Sequence, residues 1–162
     1  LSCGEDSDKD TLNQTKPVLK NLIIDFGNAF NFSQSTNQQK VFLEFGALVN
    51  NGAKVLPTFE YRVNANTAVT SPIDGIISHI EFQPDTNDYE IRMLPESNSV
   101  WMVVIDHVKN LNVSNGDTVS ATDILGTSGT WNNSPLDRVE LTLSNQDTNL
   151  YYCPNDFFGF LQ

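Results

Sequence analysis

From residue 40 onward the chain consists of short segments rich in valine, isoleucine, phenylalanine and tyrosine, each closed by a turn sequence. The segments include KVFLEFGALV, VLPTFEYRV, YEIRML, VWMVVIDHV and RVELTLS, and the connections include NNGAK, PDTND and PESNS. Strand-forming residues interrupted by asparagine, aspartate, glycine, proline and serine are typical of an all-β sandwich or barrel. The sequence therefore predicts an all-β core of roughly six or more short antiparallel strands, with no long helix after residue 40.

The region before residue 40 has a different composition. Residues 1–18 are dominated by polar side chains, which cannot offset the entropy lost on ordering, so they are predicted to form a disordered tether. The segment PVLKNLIIDFGNAF is compatible with a strand or with a short helix that Gly27 would end. Residues 19–162 are expected to form a single β domain.

The first residues of the chain, LSCGEDSDKD, resemble the end of a bacterial lipoprotein signal, in which a small residue precedes the cysteine that becomes lipidated. The acidic residues that follow resemble the export signals of Bacteroidota surface lipoproteins. The resemblance implies that Cys3 carries the lipid and that the protein is held at the outer membrane or cell surface. The alternative is an ordinary cysteine near the terminus. Cys153, the other cysteine, is then a lone thiol, expected to be a small buried apolar residue.

The charge of the chain excludes one class of partner. Aspartate and glutamate outnumber lysine and arginine by 20 to 9, which gives a formal net charge of −11. A polyanion is repelled by such a field, so nucleic-acid binding is not expected. The longest apolar run, Val100 to Ile105, is far shorter than the ~20 residues of a membrane-spanning helix.

Several segments occur in an order that is similar to a known family. They are TAVTSPIDGIIS, YEIRM, WMVVIDHVKNLNVSNGDTVSATDILGTSG and RVELTL. Together they resemble the lysostaphin/LytM-type zinc peptidases of family M23, over the region from about residue 55 to about residue 145. The resemblance implies the duplicated hybrid motif, which is a barrel-sandwich fold. The tight turns of that fold would be formed at Gly75, Gly116 and Gly126.

The zinc ligands of that family are two histidines and a carboxylate, with water at the open position. The resemblance aligns Leu56 and Glu60 with the first histidine and the aspartate, and Leu136 and Arg138 with the histidines of the final H-x-H strand. Leucine has no lone pair, and a guanidinium is permanently positive. His107 matches a family histidine that assists the reaction without binding metal. The resemblance therefore implies a degenerate member without metal, cofactor or catalysis, in which His107, Glu60 and Arg138 are vestiges.

Other candidate residues have simpler interpretations. His79 cannot replace the missing ligands, and the acidic turn PDTNDYE is interpreted as exposed. His107 is expected to hydrogen-bond to Asp106 or to a backbone carbonyl. Trp101 is expected in the core, and Trp131, between GT and NNSP, is expected to be exposed and available for a ligand.

The family fold predicts that Leu56, Glu60, His107 and Arg138 come together, with Glu60 or Glu140 paired to the Arg138 guanidinium. Trp131, Arg138 and His107 are then the candidate ligand-binding residues.

Three functions are compatible with these features. The first is a non-catalytic cell-surface lipoprotein that binds cell-wall glycan, a polysaccharide or an envelope protein. The second is an active metal-dependent peptidoglycan hydrolase with an atypical site, built for example from Glu60, His107 and another carboxylate. The third, a barrel-sandwich adaptor of the lipoyl type, has the least support, because no lysine lies at a hairpin tip and no heptads flank the core.

Overall fold

The structure is a computed structural model that describes residues 15–30, 40–131 and 134–159. Cys3 and most of the predicted tether lie outside the described residues, so the boundary at residue 18 and the lipidation stay predictions. No helix in the described part of the chain is long and apolar enough to cross a membrane.

Within the described ranges the chain forms many short strands, a single α-helical turn and a 3₁₀ turn. Their bounds are α1 (Phe26–Ala29), β1 (Phe42–Leu43), β2 (Leu48–Val49), β3 (Lys54–Val55), β4 (Phe59–Val63), β5 (Ala68–Thr70), β6 (Gly75–Gln83), β7 (Asp88–Leu94), β8 (Trp101–Lys109), β9 (Thr118–Val119), β10 (Ile124–Thr130), β11 (Asp137–Asn145), β12 (Leu150–Tyr152) and the 3₁₀ turn Pro154–Phe157. The predicted all-β class is confirmed.

Ten of the strands form one antiparallel sheet in the order β1-β4-β11-β10-β8-β7-β6-β9, with β12 paired to β11 and β5 paired to β10. Strand β11 also pairs with β8 over six residues, from Glu140 to Asn145. It therefore lies between β4 and β8 at the centre of the sheet. Strands β2 and β3 form a separate hairpin.

Alternation along the central strand shows why the sheet has a core face and an open face. In β11, buried and half-buried residues alternate without interruption. Val139, Leu141 and Leu143 are fully buried in the core, whereas the residues between them, such as Glu140 and Thr142, lie on the open face. Burial of each such aliphatic side chain stabilises the fold by roughly 1.5–3 kcal/mol. The same cluster contains Trp101 of β8, as predicted.

The segment before β1 packs against the C-terminal 3₁₀ turn and does not add a strand to the sheet. Leu19 forms a parallel bridge with Phe158, and its backbone N–H donates to the Phe157 carbonyl. The segment that was compatible with strand or helix forms only the single turn α1, which Asp25 caps by accepting from the Gly27 N–H. The two ends of the domain are thus held together beside the core.

Candidate functional site

A groove of about 330 Å³ lies on the open face of the sheet, above β7, β8, β11 and β12. Its residues lie side by side because β11 pairs with β12 and with β8, and β8 pairs with β7. The side chains that line its floor are mostly polar, and they include Thr58, Glu90, Arg92, Met102, Val104, Asp106, Glu140, Thr142 and Ser144.

A row of carboxylates crosses the sheet at one end of this groove. Glu140 of β11 lies opposite Glu60 of β4 and, on its other side, opposite Asp106 of β8. Burial, and then repulsion from the Glu60 carboxylate, raise the pKa of Glu140 to about 6. Below about pH 6 Glu140 retains a proton, which relieves part of the repulsion within the row.

Two arginines form the next row along the same strands. Arg138 of β11 lies directly opposite Arg62 of β4. The Arg62 Nε donates to Glu60 Oε1 at 2.8 Å, and both side chains are largely buried. Arg138 is held less closely, since its NH1 lies 3.9 Å from Glu140 Oε1 and its buried Nε has no hydrogen-bond partner in the described structure. The predicted Arg138–Glu140 pair is present, but the tighter pair is formed by Arg62, which the sequence analysis did not single out.

His107 lies in a bulge of β8. Tyr89 pairs with Val108 and Ile91 with Ile105, so Glu90 of β7 faces two residues of β8, Asp106 and His107. The backbone of His107 has φ +61°, a left-handed conformation that costs a non-glycine residue roughly 1–3 kcal/mol. The bulge places the His107 ring and the Asp106 carboxylate close together. The ring Nε2 lies 3.7 Å from both Asp106 Oδ2 and Glu140 Oε1.

The partner of the His107 ring is Asp88, and the prediction that Asp106 or a carbonyl would fill this role is wrong. Nδ1 lies 2.9 Å from Asp88 Oδ2. Asp88 is fully buried at the start of β7 and also accepts from Thr86 Oγ1. Asp106 instead accepts from the His107 backbone N–H. The interpretation of PDTNDYE as an exposed turn therefore fails for Asp88, whose carboxylate fixes the ring orientation.

Trp131 is less exposed than predicted. The guanidinium carbon of Arg62 lies 4.1 Å from the centre of the Trp131 ring, which leaves the tryptophan half-buried. Cation–π stacking of this kind contributes roughly 0.5–2 kcal/mol. Trp131, Arg62 and Glu60 thus form a continuous chain of contacts that leads to the carboxylate row.

The structure brings Glu60, His107 and Arg138 together around Glu140, and Leu56 lies elsewhere. Leu56 is buried beside the β2–β3 hairpin, where its backbone exchanges hydrogen bonds with Gly46 and Ala47. Leu136 is buried and its N–H donates to Ser134 Oγ. His79, on β6 opposite Arg92, is exposed.

The residues at the zinc-ligand positions do not fit a zinc ion. Leucine offers no donor, the Arg138 guanidinium is a fixed cation, and the Glu60 carboxylate is engaged by Arg62 at 2.8 Å. A different set of donors does exist nearby: ligand atoms of Asp88, Asp106 and His107 lie within 4.8 Å of one another. In that set the Asp88–Nδ1 hydrogen bond makes Asp88 a supporting group and leaves Nε2 directed toward the Asp106 and Glu140 carboxylates.

The fold is similar to that of lysostaphin-type M23 peptidase domains, a barrel-sandwich, as the resemblance implied. No family model and no curated protein matches the sequence. The catalytic domain of lysostaphin from Staphylococcus simulans superposes with a TM-score of 0.57 at 22% identity, over 71% of this chain and 88% of that one. In the solution structure of lysostaphin the match spans 48% of that protein's chain.

Two other solved structures extend the comparison. The catalytic domain of the prophage-encoded M23 protein EnpA from Enterococcus faecalis gives a TM-score of 0.58 at 14% identity, covering 75% of this chain and 93% of that one. A chain of the SpoIIQ–SpoIIIAH pore-forming complex gives 0.61 at 14% identity, covering 89% and 92%. At such identities the likeness establishes the fold.

Proposed function

We propose that the chain is a non-catalytic protein of the bacterial cell envelope that uses an M23-type fold to bind a ligand in the groove. The observation that carries this proposal is the charge pattern at the zinc-ligand positions. Arg138 introduces a cation where the peptidases hold their metal, and Arg62 occupies the Glu60 carboxylate at 2.8 Å. Such a site has polar groups to hold a ligand but lacks the donor set that would activate water.

The ligand is a cell-wall glycan, another polysaccharide or an envelope protein. The polar floor of the groove favours a ligand with many hydroxyl or amide groups. The half-buried Trp131, which stacks on Arg62 of β4, is the aromatic ring that we expect to pack on a sugar face. The similarity to a chain from the SpoIIQ–SpoIIIAH complex, in which that chain assembles with a protein, motivates the protein alternative.

Anchoring through a lipid on Cys3 belongs to the same proposal. Metabolic labelling with a palmitate analogue tests it, because only two cysteines exist in the chain. Label should be lost in Cys3→Ala and retained in the matched variant Cys153→Ala. Label that persists in Cys3→Ala would refute the anchor without affecting the proposal for the groove.

The groove is tested by co-sedimentation of the chain with purified peptidoglycan and by binding to a panel of envelope polysaccharides. Trp131→Ala and Arg138→Gln should weaken binding by about tenfold or more, because aromatic and arginine side chains dominate such contacts. Lys20→Gln is the control, since Lys20 pairs with Asp74 and belongs neither to the groove lining nor to the group formed by Trp131, Arg62 and Arg138. Binding that all three variants retain at wild-type strength would place the ligand elsewhere.

The alternative, an atypical metal-dependent peptidoglycan hydrolase, is favoured by one observation. His107 is oriented by a buried carboxylate and presents Nε2 to the Asp106 and Glu140 carboxylates at 3.7 Å. A histidine with such support is common among metal ligands. Metal analysis combined with a peptidase assay separates the two functions.

A further inference from the structure

The floor of the groove changes from charged to uncharged along β11, toward the edge formed by β12. Tyr151 of β12 pairs with Ser144 of β11, and Ser144 pairs with Met102 of β8. Paired residues point to the same face of a sheet, so these three side chains form one row across the floor. Ser144 lies four residues beyond Glu140 on the same strand, a separation of roughly 13 Å. This end of the groove is therefore distinct from the charged groups around His107.

Tyr151 presents an aromatic ring to this end of the groove. The residue keeps 57% of its surface exposed, and its ring contacts no other aromatic ring among the described residues. Its neighbour Tyr152 points to the core face instead, where its ring packs against Trp101 and Phe157 at centroid distances of 5.0 and 6.2 Å. An exposed aromatic ring at the edge of a concave polar surface is available to pack on the face of a ligand.

The floor beside Tyr151 carries polar groups that the fold does not use. Thr142 and Ser144 are half-buried on the open face, and their hydroxyls make no hydrogen bond to another residue that the structure describes. The same holds for the side-chain amides of Gln146 and Asn149, which are exposed and line the groove. Hydroxyl and amide groups both donate and accept hydrogen bonds. A ligand with several hydroxyl groups can therefore bond to them without breaking any contact of the protein.

The charges near this end favour a neutral ligand. Arg92, the cation of the groove floor, is already paired with Glu81 and Glu90. Lys54 reaches the groove from β3 but is exposed to solvent, where a single charge contributes little to binding. The formal net charge of −11 repels anionic polymers as a whole. Acidic polysaccharides are thus disfavoured, whereas neutral sugars match the hydroxyl and amide groups.

We propose that the β12 end of the groove binds a neutral sugar unit, with the Tyr151 ring packed on the face of the sugar and the Thr142 and Ser144 hydroxyls bonded to its hydroxyl groups. This binding mode depends on the proposed function of the groove and narrows its ligand to glycans that contain neutral sugars. Met102, half-buried in the same row, supplies a flexible apolar surface for the C–H groups of the sugar. Tyr151 and Trp131 then lie near opposite ends of β11, since Tyr151 pairs with Ser144 and Trp131 stacks on Arg62, the partner of Arg138.

The test uses the neutral tetrasaccharides chitotetraose, cellotetraose and mannotetraose as probes, with tetragalacturonate as the anionic comparison. Calorimetric titration should detect binding of at least one neutral probe, about tenfold tighter than that of tetragalacturonate. Tyr151→Ala should weaken this binding by about fivefold to tenfold, because the stacking surface is lost. Tyr151→Phe keeps the ring and should bind within about twofold of the wild type. Both variants are expected to fold, because the residue is exposed.

Phe82→Ala is the matched control, since Phe82 of β6 is 50% exposed and does not line the groove, and it should leave binding unchanged. Absence of binding by all the neutral probes, or equal binding by wild type and Tyr151→Ala, would overturn the sugar site at Tyr151. Co-sedimentation with peptidoglycan then separates this failure from failure of the proposed function. A chain that still sediments holds its ligand elsewhere, and one that binds neither peptidoglycan nor any envelope polysaccharide loses both proposals.

Discussion

The carboxylates of Asp88, Asp106 and Glu140 surround the His107 ring. The left-handed backbone at His107 brings its ring and the Asp106 carboxylate to the same end of the groove. Asp88 then fixes the ring from the buried side, and Glu140 faces it from β11. The contact with Asp88 holds the His107 ring in one orientation, and this orientation depends on a carboxylate that does not line the groove.

Replacement of Asp88 by alanine should destabilise the protein by about 2–4 kcal/mol. The substitution leaves the buried His107 ring and the Thr86 hydroxyl without their shared acceptor, and a buried group that loses its charged partner is costly. Asp85→Ala, three residues earlier in the same turn and exposed, should change stability by no more than about 0.5 kcal/mol. Urea unfolding measures both, and equal effects of the two substitutions would contradict the importance of the Asp88–His107 contact.

The raised pKa of Glu140 predicts how the stability of the protein changes with pH. A carboxyl whose pKa rises from 4.5 to about 6 on folding retains its proton in the folded state where the unfolded chain has lost it. The contribution of Glu140 to stability is therefore most favourable below about pH 4.5 and falls as the pH rises to about 6, by up to about 2 kcal/mol. Glu140→Gln should remove this decline.

Unfolding curves of wild type and Glu140→Gln between pH 4 and pH 7, about the range of this titration, provide the measurement. The variant should gain on the wild type steadily as the pH rises through the window. A stability difference that stays constant with pH would show that burial of Glu140 is not coupled to its protonation.

Some of these residues could be predicted from the sequence and some could not. Glu60, Arg138 and His107 were placed by the resemblance, and they do meet around Glu140. Arg62 could also have been found, because residues two apart on a strand share a face and Arg62 follows Glu60 at that spacing. Asp88 could not, because its sequence context is that of an exposed turn and its burial depends on how β10 approaches β8.

At the scale of elements, the close approach of β10 to β8 depends on a glycine. A Cβ atom on Gly129 of β10 would lie 2.6 Å from Asp88 Oδ2 and 2.9 Å from both the Cβ and the carbonyl oxygen of His107. A side chain at this position cannot be accommodated without a shift of β8 or of the buried carboxylate. The bulge and the glycine are therefore matched features of two neighbouring strands.

Gly129→Ala should destabilise the protein by about 1–3 kcal/mol, because the added methyl group meets backbone and a buried carboxylate that cannot move freely. Gly27→Ala in α1 is the control: its Cβ would meet only the exposed Asp25 carboxylate at 3.2 Å, and a change within about 0.5 kcal/mol is expected. Thermal unfolding compares the two. Tolerance of alanine at residue 129 would mean that β8 and β10 are less tightly packed than the structure shows.

The strands themselves were predictable to different degrees. Alternating apolar residues and turn sequences identified the long strands β6, β7, β8 and β11, because local preference and burial agree there. The placement of β11 between β4 and β8 could not be predicted, because pairing between strands distant in sequence depends on the whole core. It is this pairing that aligns the Glu60, Glu140 and Asp106 carboxylates.

At the scale of the whole molecule, one sheet carries two faces of opposite chemistry. The open face is charged, and the core face beside α1 and β1 is aromatic. Strand β4 contributes to both, through Glu60 and Arg62 on one side and Phe59 and Tyr61 on the other. The strand that holds Arg62 against Trp131 is therefore fixed from its other side by aromatic packing.

The fold itself leaves open whether the groove hydrolyses its ligand, and metal content decides this. Wild-type protein loaded with zinc and then desalted should contain clearly less than one zinc per chain by elemental analysis, because Leu56 and Arg138 offer no lone pair and Arg62 occupies Glu60. It should also leave peptidoglycan cross-bridges intact.

Arg138→His is the comparison, since it replaces the guanidinium beside Glu140 by an imidazole, and it should retain more zinc than the wild type. One zinc per wild-type chain, with cleavage that is lost in His107→Ala, would overturn the non-catalytic function. Zinc retained without cleavage would contradict the expected metal content and leave the binding function intact.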